Sequence, residues 1–235
     1  MNEPLSKSAP LTHRRKGLSR TRAPLTRERL TEKENLESPA WKAILLFGPC
    51  GVGKGTVGKN LALMANQVHL SMGEIFRKIS KDSPLGKRCF SYLEQGNLIP
   101  DHCTIQVWES YVRGLIQTYR FDPWHHYLLL DGIPRTVDQA EFLRPLTTVV
   151  RILLLEVSNE GLLLERLQRR AREENRIDDL NPSILRRRLE LYQKTTEKVL
   201  ACYPPSIIVK IDGSQSKLQV LHQSMGALLD LFSPK

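Results

Sequence analysis

Ala43-Ile44-Leu45-Leu46-Phe47 runs directly into Gly48-Pro49-Cys50-Gly51-Val52-Gly53-Lys54-Gly55-Thr56, and an apolar-periodic segment follows. A short apolar run ending in glycines reads as a buried strand, and helical periodicity after the glycines reads as a loop that opens a helix. In that setting the glycines let backbone N–H groups converge on a phosphate, and the helix N-terminus adds partial positive charge. Lys54 is then placed to bridge β- and γ-phosphate oxygens, and the Thr56 hydroxyl to face Mg²⁺. A glycine turn alone would carry little weight. Strand, loop, lysine and hydroxyl in this order carry much more.

Outward from this stretch, short apolar runs alternate with helical segments from Trp41 onward, the pattern of a parallel sheet covered by helices. The expected strands are Ala43–Phe47, Gln67–Leu70, Tyr127–Leu130, Val149–Leu155 and Ile207–Ile211. The fold class is therefore α/β, a P-loop NTPase fold with a five-stranded parallel sheet flanked by helices. Helix starts are expected at Ser71, with Glu74 completing a capping box, and at Ser83-Pro84 and Asn181-Pro182, where proline takes the first helical position; Gly96 can end a helix. No internal repeat is present.

A chain of 235 residues suits one well-buried domain. Its longest apolar runs have five residues, far short of the ~20 that a membrane-spanning helix needs. The four cysteines, Cys50, Cys89, Cys103 and Cys202, form no CxxC pair, which argues against a disulfide framework or a zinc site and for a reducing compartment. Residues 1–40 hold nine Lys or Arg against five Asp or Glu and lack hydrophobic periodicity. A disordered basic extension is expected there, with an organelle transit peptide as the alternative. Of the net charge of +10, six units then belong to residues 41–235, where many arginines cluster at Arg166 to Arg176 and Arg186 to Arg188. That clustering suits a compact polyphosphate ligand as well as a long polyanion.

The Gly55 between Lys54 and Thr56 is distinctive, and GKGT resembles the nucleoside monophosphate kinases, adenylate kinases above all. Other stretches carry the same resemblance over roughly residues 41–232. His69-Leu70-Ser71-Met72-Gly73-Glu74-Ile75-Phe76-Arg77 is similar to the family's HLSTGDLLR, Gly96-Asn97-Leu98-Ile99-Pro100-Asp101 to GxLVPD, and Leu130-Asp131-Gly132-Ile133-Pro134-Arg135-Thr136 to LDGFPRT. The resemblance implies an NMP-binding subdomain over 71–100 and a short lid over 171–180 within a domain spanning 41–235. It implies ATP contacts from Gly48, Gly51, Gly53, Lys54, Gly55, Thr56, Arg166, Arg170 and Gly213. It implies AMP contacts from Met72, Arg77, Leu98, Ile99, Gly132, Arg135, Gln139, Arg176 and Arg188. Lys54, Arg135, Arg170, Arg176, Arg188 and Asp131 would serve phosphoryl transfer, with Thr56 and Asp131 facing Mg²⁺ through nucleotide and water. ATP, AMP and ADP are the expected partners of a cytoplasmic monomer with no nucleic-acid or membrane partner and no structural zinc.

This sequence departs from the family pattern at Met72, which replaces a threonine that helps to recognise the AMP base, at Ile133 for phenylalanine, at Ala171 for a lid-opening glycine and at Lys198 for proline. One extra residue lies near Leu180. A UMP/CMP kinase is the alternative enzyme, against which Thr136 and Pro100-Asp101 speak. A nucleotide-binding regulator would be expected to lose arginines that are present here, and an RNA-binding protein would interleave exposed aromatics with basic residues, a pattern not seen outside the tail.

Overall fold

The computed structural model describes residues 40–174 and 181–232; most of the expected N-terminal extension, Arg176 and Leu180 lie outside the described residues. Strand β1 (Trp41–Phe47) is buried at every position except Lys42. Ala43, Leu45 and Phe47 join one apolar cluster with Leu128, Leu130, Ile152 and Leu154, while Ile44 and Leu46 join the other with Leu129, Leu153 and Leu155. A strand covered on both faces has no polar side to alternate with, which is why its sequence is an unbroken apolar run.

Helix α1 (Lys54–Met64) leads to β2 (Val68–Ser71), and α2 (Met72–Lys78), α3 (Pro84–Glu94) and α4 (Asp101–Gln117) lead on to β3 (Leu128–Asp131). Then come α5 (Val137–Leu143), β4 (Thr147–Glu156), α6 (Glu160–Glu173), α7 (Pro182–Leu200), β5 (Ile208–Asp212), α8 (Lys217–Gly226) and α9 (Leu229–Phe232). The five strands are parallel in the order β2-β3-β1-β4-β5. The chain leaves β1 toward β2 on one side and leaves β3 and β4 toward the other. Their connections therefore diverge at the carboxyl ends of the central strands, where open α/β sheets form their ligand crevice. Register sets Asp131 beside Leu46 on one side and Ser71 on the other, so a carboxylate ends the strand next to the glycine loop.

Two of the expected helix starts occur as read. Ser83 accepts from the Gly86 N–H with Pro84 at the first position, and Asn181 accepts from Ser183 ahead of Pro182. The expected capping box at Ser71 does not form: Ser71 makes no capping bond, and Glu74 instead pairs with Lys59 at 2.6 Å. A cation across the gap from α1 outcompetes a backbone N–H for that carboxylate. Strand β4 begins at Thr147 and not at Val149, because Thr147 and Thr148 pair with Trp41 and Lys42. Ala171, where the family has a lid-opening glycine, is helical. It is buried within α6, which continues through Glu173, as the best helix former in place of a breaker would favour.

Candidate active site

The loop after β1 closes on α1, whose N-cap is Gly53 at φ 111°. That left-handed conformation costs any residue with a Cβ roughly 1–2 kcal/mol, although a Cβ there would meet nothing within 4 Å. The opening turn of α1 presents backbone N–H groups that have no intrahelical partner. Gly51 lies tight against α6, where a Cβ would come 2.9 Å from the Leu163 carbonyl and from Leu167 Cγ. At Gly48 a Cβ would come 2.6 Å from the Leu155 carbonyl, and at Gly55 it would meet only Asp131 Oδ2, at 3.6 Å. The loop is thus held against the sheet at Gly48 and against α6 at Gly51, and opens where it enters α1 at Gly53.

Lys54 is half-buried and donates to the carbonyls of Gly48, at 2.7 Å, and Pro49, at 2.9 Å. Burial pulls its pKa below the ordinary lysine range, and the Asp131 carboxylate pulls it back up. Asp131 itself is 9% exposed. Thr56 is exposed in the first turn of α1. Thr56 and Asp131 are hard oxygen donors of the kind Mg²⁺ prefers, flanking the lysine.

The Cys50 thiol shows what surrounds the loop. Burial pushes its pKa up, while the charges of Lys54, Arg188, Arg170 and Arg135 pull it down. Four cations from α1, α7, α6 and the loop after β3 therefore act on one point of the phosphate loop. Arg170 lies four residues after Arg166 on α6, so the two share a helix face. Arg166 is braced against the loop after β5, donating to the carbonyls of Gly213 at 2.7 Å and of Ser214 and Gln215 at 3.4 Å. Gly213 packs on the glycine loop, since a Cβ there would come 2.5 Å from Val52 Cγ2.

On the other side of the crevice, the exposed Arg135 donates from Nε to the Gly132 carbonyl at 3.1 Å, which leaves the outer face of its fork open. Arg77, in the last turn of α2, lies with Nη2 3.1 Å from where a Gly73 Cβ would be. Leu98 is half-buried and Ile99 is buried. Met72 is 1% exposed and belongs to the core cluster with Ile75 and Phe76, so its thioether is packed among apolar side chains. Gln139 is also buried, with both amide heteroatoms bonded within the protein. Asp101, which in the sequence stands out only as the end of a motif, is one of its partners. A Thr136-x-x-Gln139 spacing that resembles a capping box was the available signal, and the structure uses only half of it: Thr136 accepts from the Gln139 N–H at 3.2 Å.

The arrangement is a glycine loop at a helix N-terminus with cations around it, a cradle for a polyanion. The adenylate kinase family profile matches residues 46–207. The chain is 37% identical over 187 residues to an adenylate kinase of Cyanothece sp., covering 77% of this chain and 91% of that protein. It is 32% identical to an adenylate kinase of Thermus thermophilus, covering 80% and 97%, and 33% identical to one of Corynebacterium diphtheriae, covering 79% and 98%. The chain belongs to the adenylate kinase family. As an adenylate kinase it is a phosphotransferase of the nucleoside monophosphate kinase class, and its α/β sheet is that family's P-loop fold. Among the described residues of this adenylate kinase no helix is long and apolar enough to cross a membrane. Nor, among them, does any group of three or more His, Cys, Asp or Glu side chains lie close enough to hold a metal ion.

Proposed function

We propose that the chain reversibly transfers the terminal phosphoryl group of ATP to AMP, giving two ADP, with Mg²⁺ accompanying the nucleotide. The observation that carries this reading is the glycine loop that seats Lys54 at the opening of α1, with Arg135, Arg170 and Arg188 within electrostatic reach of it. Phosphoryl transfer spreads charge over several oxygens and asks for alignment and neutralisation more than for covalent help. Four fixed cations of separate origin suit that demand.

In this reading Gly48, Gly51, Gly53, Gly55, Lys54 and Thr56 hold the ATP phosphates, and Lys54 exchanges its loop carbonyls for phosphate oxygens. Arg166, held flat by the loop at Gly213, offers a face for the ATP base to stack on. Arg77 takes the AMP phosphate, while Leu98, Ile99, Gly132 and Gln139 shape its base site. Arg135 touches both substrates, and Arg170, Arg176 and Arg188 gather around the transferring group. Thr56 and Asp131 would hold Mg²⁺ through phosphate and water, and the ion would supply further neutralisation of phosphate charge. Residues 71–100 form the NMP-binding segment and residues 171–180 the short lid, of which 175–180 lie outside the described residues. The enzyme acts as a cytoplasmic monomer on free nucleotides.

The curated relatives described above all carry the name adenylate kinase, which favours AMP over UMP or CMP as acceptor. The test is a coupled assay of the purified protein with MgATP against AMP, CMP, UMP and GMP. Turnover is expected with AMP well above the others. Preferred turnover of CMP or UMP would make the chain a pyrimidine monophosphate kinase, and turnover of none would make it a nucleotide-binding regulator.

A further inference from the structure

We infer that Asp101 is a positioning residue of the acceptor-base site: by fixing which way the Gln139 amide points, it makes that site select a 6-amino over a 6-oxo purine. The inference rests on the reading of Gln139 as the residue that faces the AMP base. It adds a residue and a rule of selectivity to that reading.

An amide side chain has nearly the same shape in both orientations, so its hydrogen-bond partners decide which end is oxygen. Gln139 is 2% exposed, and solvent therefore has almost no say. Its Oε1 accepts from the Arg135 backbone N–H at 2.7 Å, and its Nε2 donates to Asp101 Oδ1 at 2.7 Å. An N–H can only donate and an ionised carboxylate can only accept. A half-turn of the amide would set donor against donor at Arg135 and acceptor against acceptor at Asp101. The carboxylate is itself anchored, because its Oδ2 accepts from the Thr136 hydroxyl at 2.7 Å. Thr136 caps α5 and Asp101 opens α4, so two helices hold the arrangement in place.

With both partners engaged, the amide retains one N–H and one oxygen lone pair. That pair complements a base edge with an amino group beside an unprotonated ring nitrogen, as in adenine, and opposes the reversed edge of hypoxanthine. Cytosine shows the same amino-and-acceptor edge as adenine, so this device discriminates by edge and not by ring size. The Asp101–Gln139 pair also steadies the backbone of Arg135, which links base selection to a residue proposed to touch both substrates.

The experiment is competition between AMP and inosine monophosphate in one reaction with MgATP, comparing wild type, Asp101→Asn, Asp101→Glu and Gln139→Ala. A competition ratio does not depend on how much of the enzyme is folded, so a destabilised variant still reports. Asp101→Asn can present either a donor or an acceptor and should lower the AMP preference by about fivefold, the scale of one hydrogen bond. Asp101→Glu keeps an acceptor-only group and should keep the preference even where its rate falls. An unchanged ratio in Asp101→Asn, or equal losses of rate without change of ratio in both variants, would overturn the inference and leave Asp101 a packing residue. Should Gln139→Ala keep the wild-type ratio, the reading of Gln139 as the base contact fails first, and the role of Asp101 falls with it.

Discussion

Arg188, in the second turn of α7, donates from Nη2 to the carbonyl of Leu93 at the end of α3, 3.3 Å away. One turn earlier Ile184 fills the space beside Gly96, where a Cβ would come 2.9 Å from Ile184 Cγ2 and 3.1 Å from its carbonyl. The segment proposed to bind AMP is thus in contact with a helix that supplies one of the cations on the phosphate loop.

This contact depends on Gly96, which follows α3 at φ 69°. Gly96→Ala has to pay the left-handed penalty of about 1–2 kcal/mol and must also displace Ile184. The melting temperature should fall by roughly 2–8 °C for a domain of this size. The KM for AMP should rise more than that for ATP, because α3 belongs to the AMP side. Steady-state kinetics together with a thermal melt check both, and an unaltered AMP KM would separate the α3–α7 contact from substrate binding.

Lys54→Ala should reduce kcat by ~10² or more while the protein stays folded, since the ammonium neutralises charge at the transferring group and packs no core. The variant removes a half-buried charge and leaves two loop carbonyls without their donor. Those effects oppose each other, so the melting temperature should move little. Activity within tenfold of wild type would contradict the loop's assignment.

Arg135→Lys tests whether a fork is required. The guanidinium can hold the Gly132 carbonyl through Nε and still direct its two terminal nitrogens outward. A lysine must choose one direction. The expected result is a kcat lower by ~10², with the AMP KM changed far less, as for a group that serves the transition state. A change confined to the AMP KM would show that Arg135 only binds.

Much of this organisation could be read from the sequence, because it is local. The run Ala43–Phe47, the glycines and Lys54 define a strand, a loop and a helix without reference to the rest of the chain. Prolines at helix starts behave the same way, as at Pro84 and Pro182. What could not be read depends on partners distant in sequence. Glu74 is drawn away from its cap by Lys59, and Gln139 is turned by Asp101, 38 residues earlier. The burial of Met72 depends on which face of α2 meets the core, which a single substitution within a motif does not reveal.

His69 makes the stability of the fold sensitive to acid. The ring lies under α1, so close to Gly58 that a Cβ there would come 2.4 Å from its Cδ2, and its buried Nε2 has no hydrogen-bond partner among the described residues. Burial lowers its pKa, with Asp131 and Glu74 opposing and Lys59 assisting. Below the unfolded-state value of about 6.5 the unfolded chain binds this proton and the folded chain resists it, so stability declines as the pH falls through that region. Denaturant melts between pH 7.5 and 5.5 should show the decline, and His69→Asn should flatten it. An identical slope in the variant would assign the loss to other groups.

Met72 presents two demands that one substitution separates. As a substitute for the family's threonine it cannot donate a hydrogen bond to a base. As a core residue with 1% exposure it packs with Ile75 and Phe76. Met72→Thr shortens the side chain and buries a hydroxyl, two changes that destabilise by about 1–3 kcal/mol when the hydroxyl finds no partner. With the thioether turned into the core, the melting temperature should fall while the ratio of kcat/KM for AMP over CMP stays within about twofold. A hydroxyl reaching the base would give a different result: the ratio would rise by the several-fold that one hydrogen bond is worth, and the loss of stability would be smaller because the group is satisfied when AMP binds. Melts with and without AMP and the two kcat/KM values therefore decide whether position 72 contributes to base selection or only to the packing of α2 beneath it.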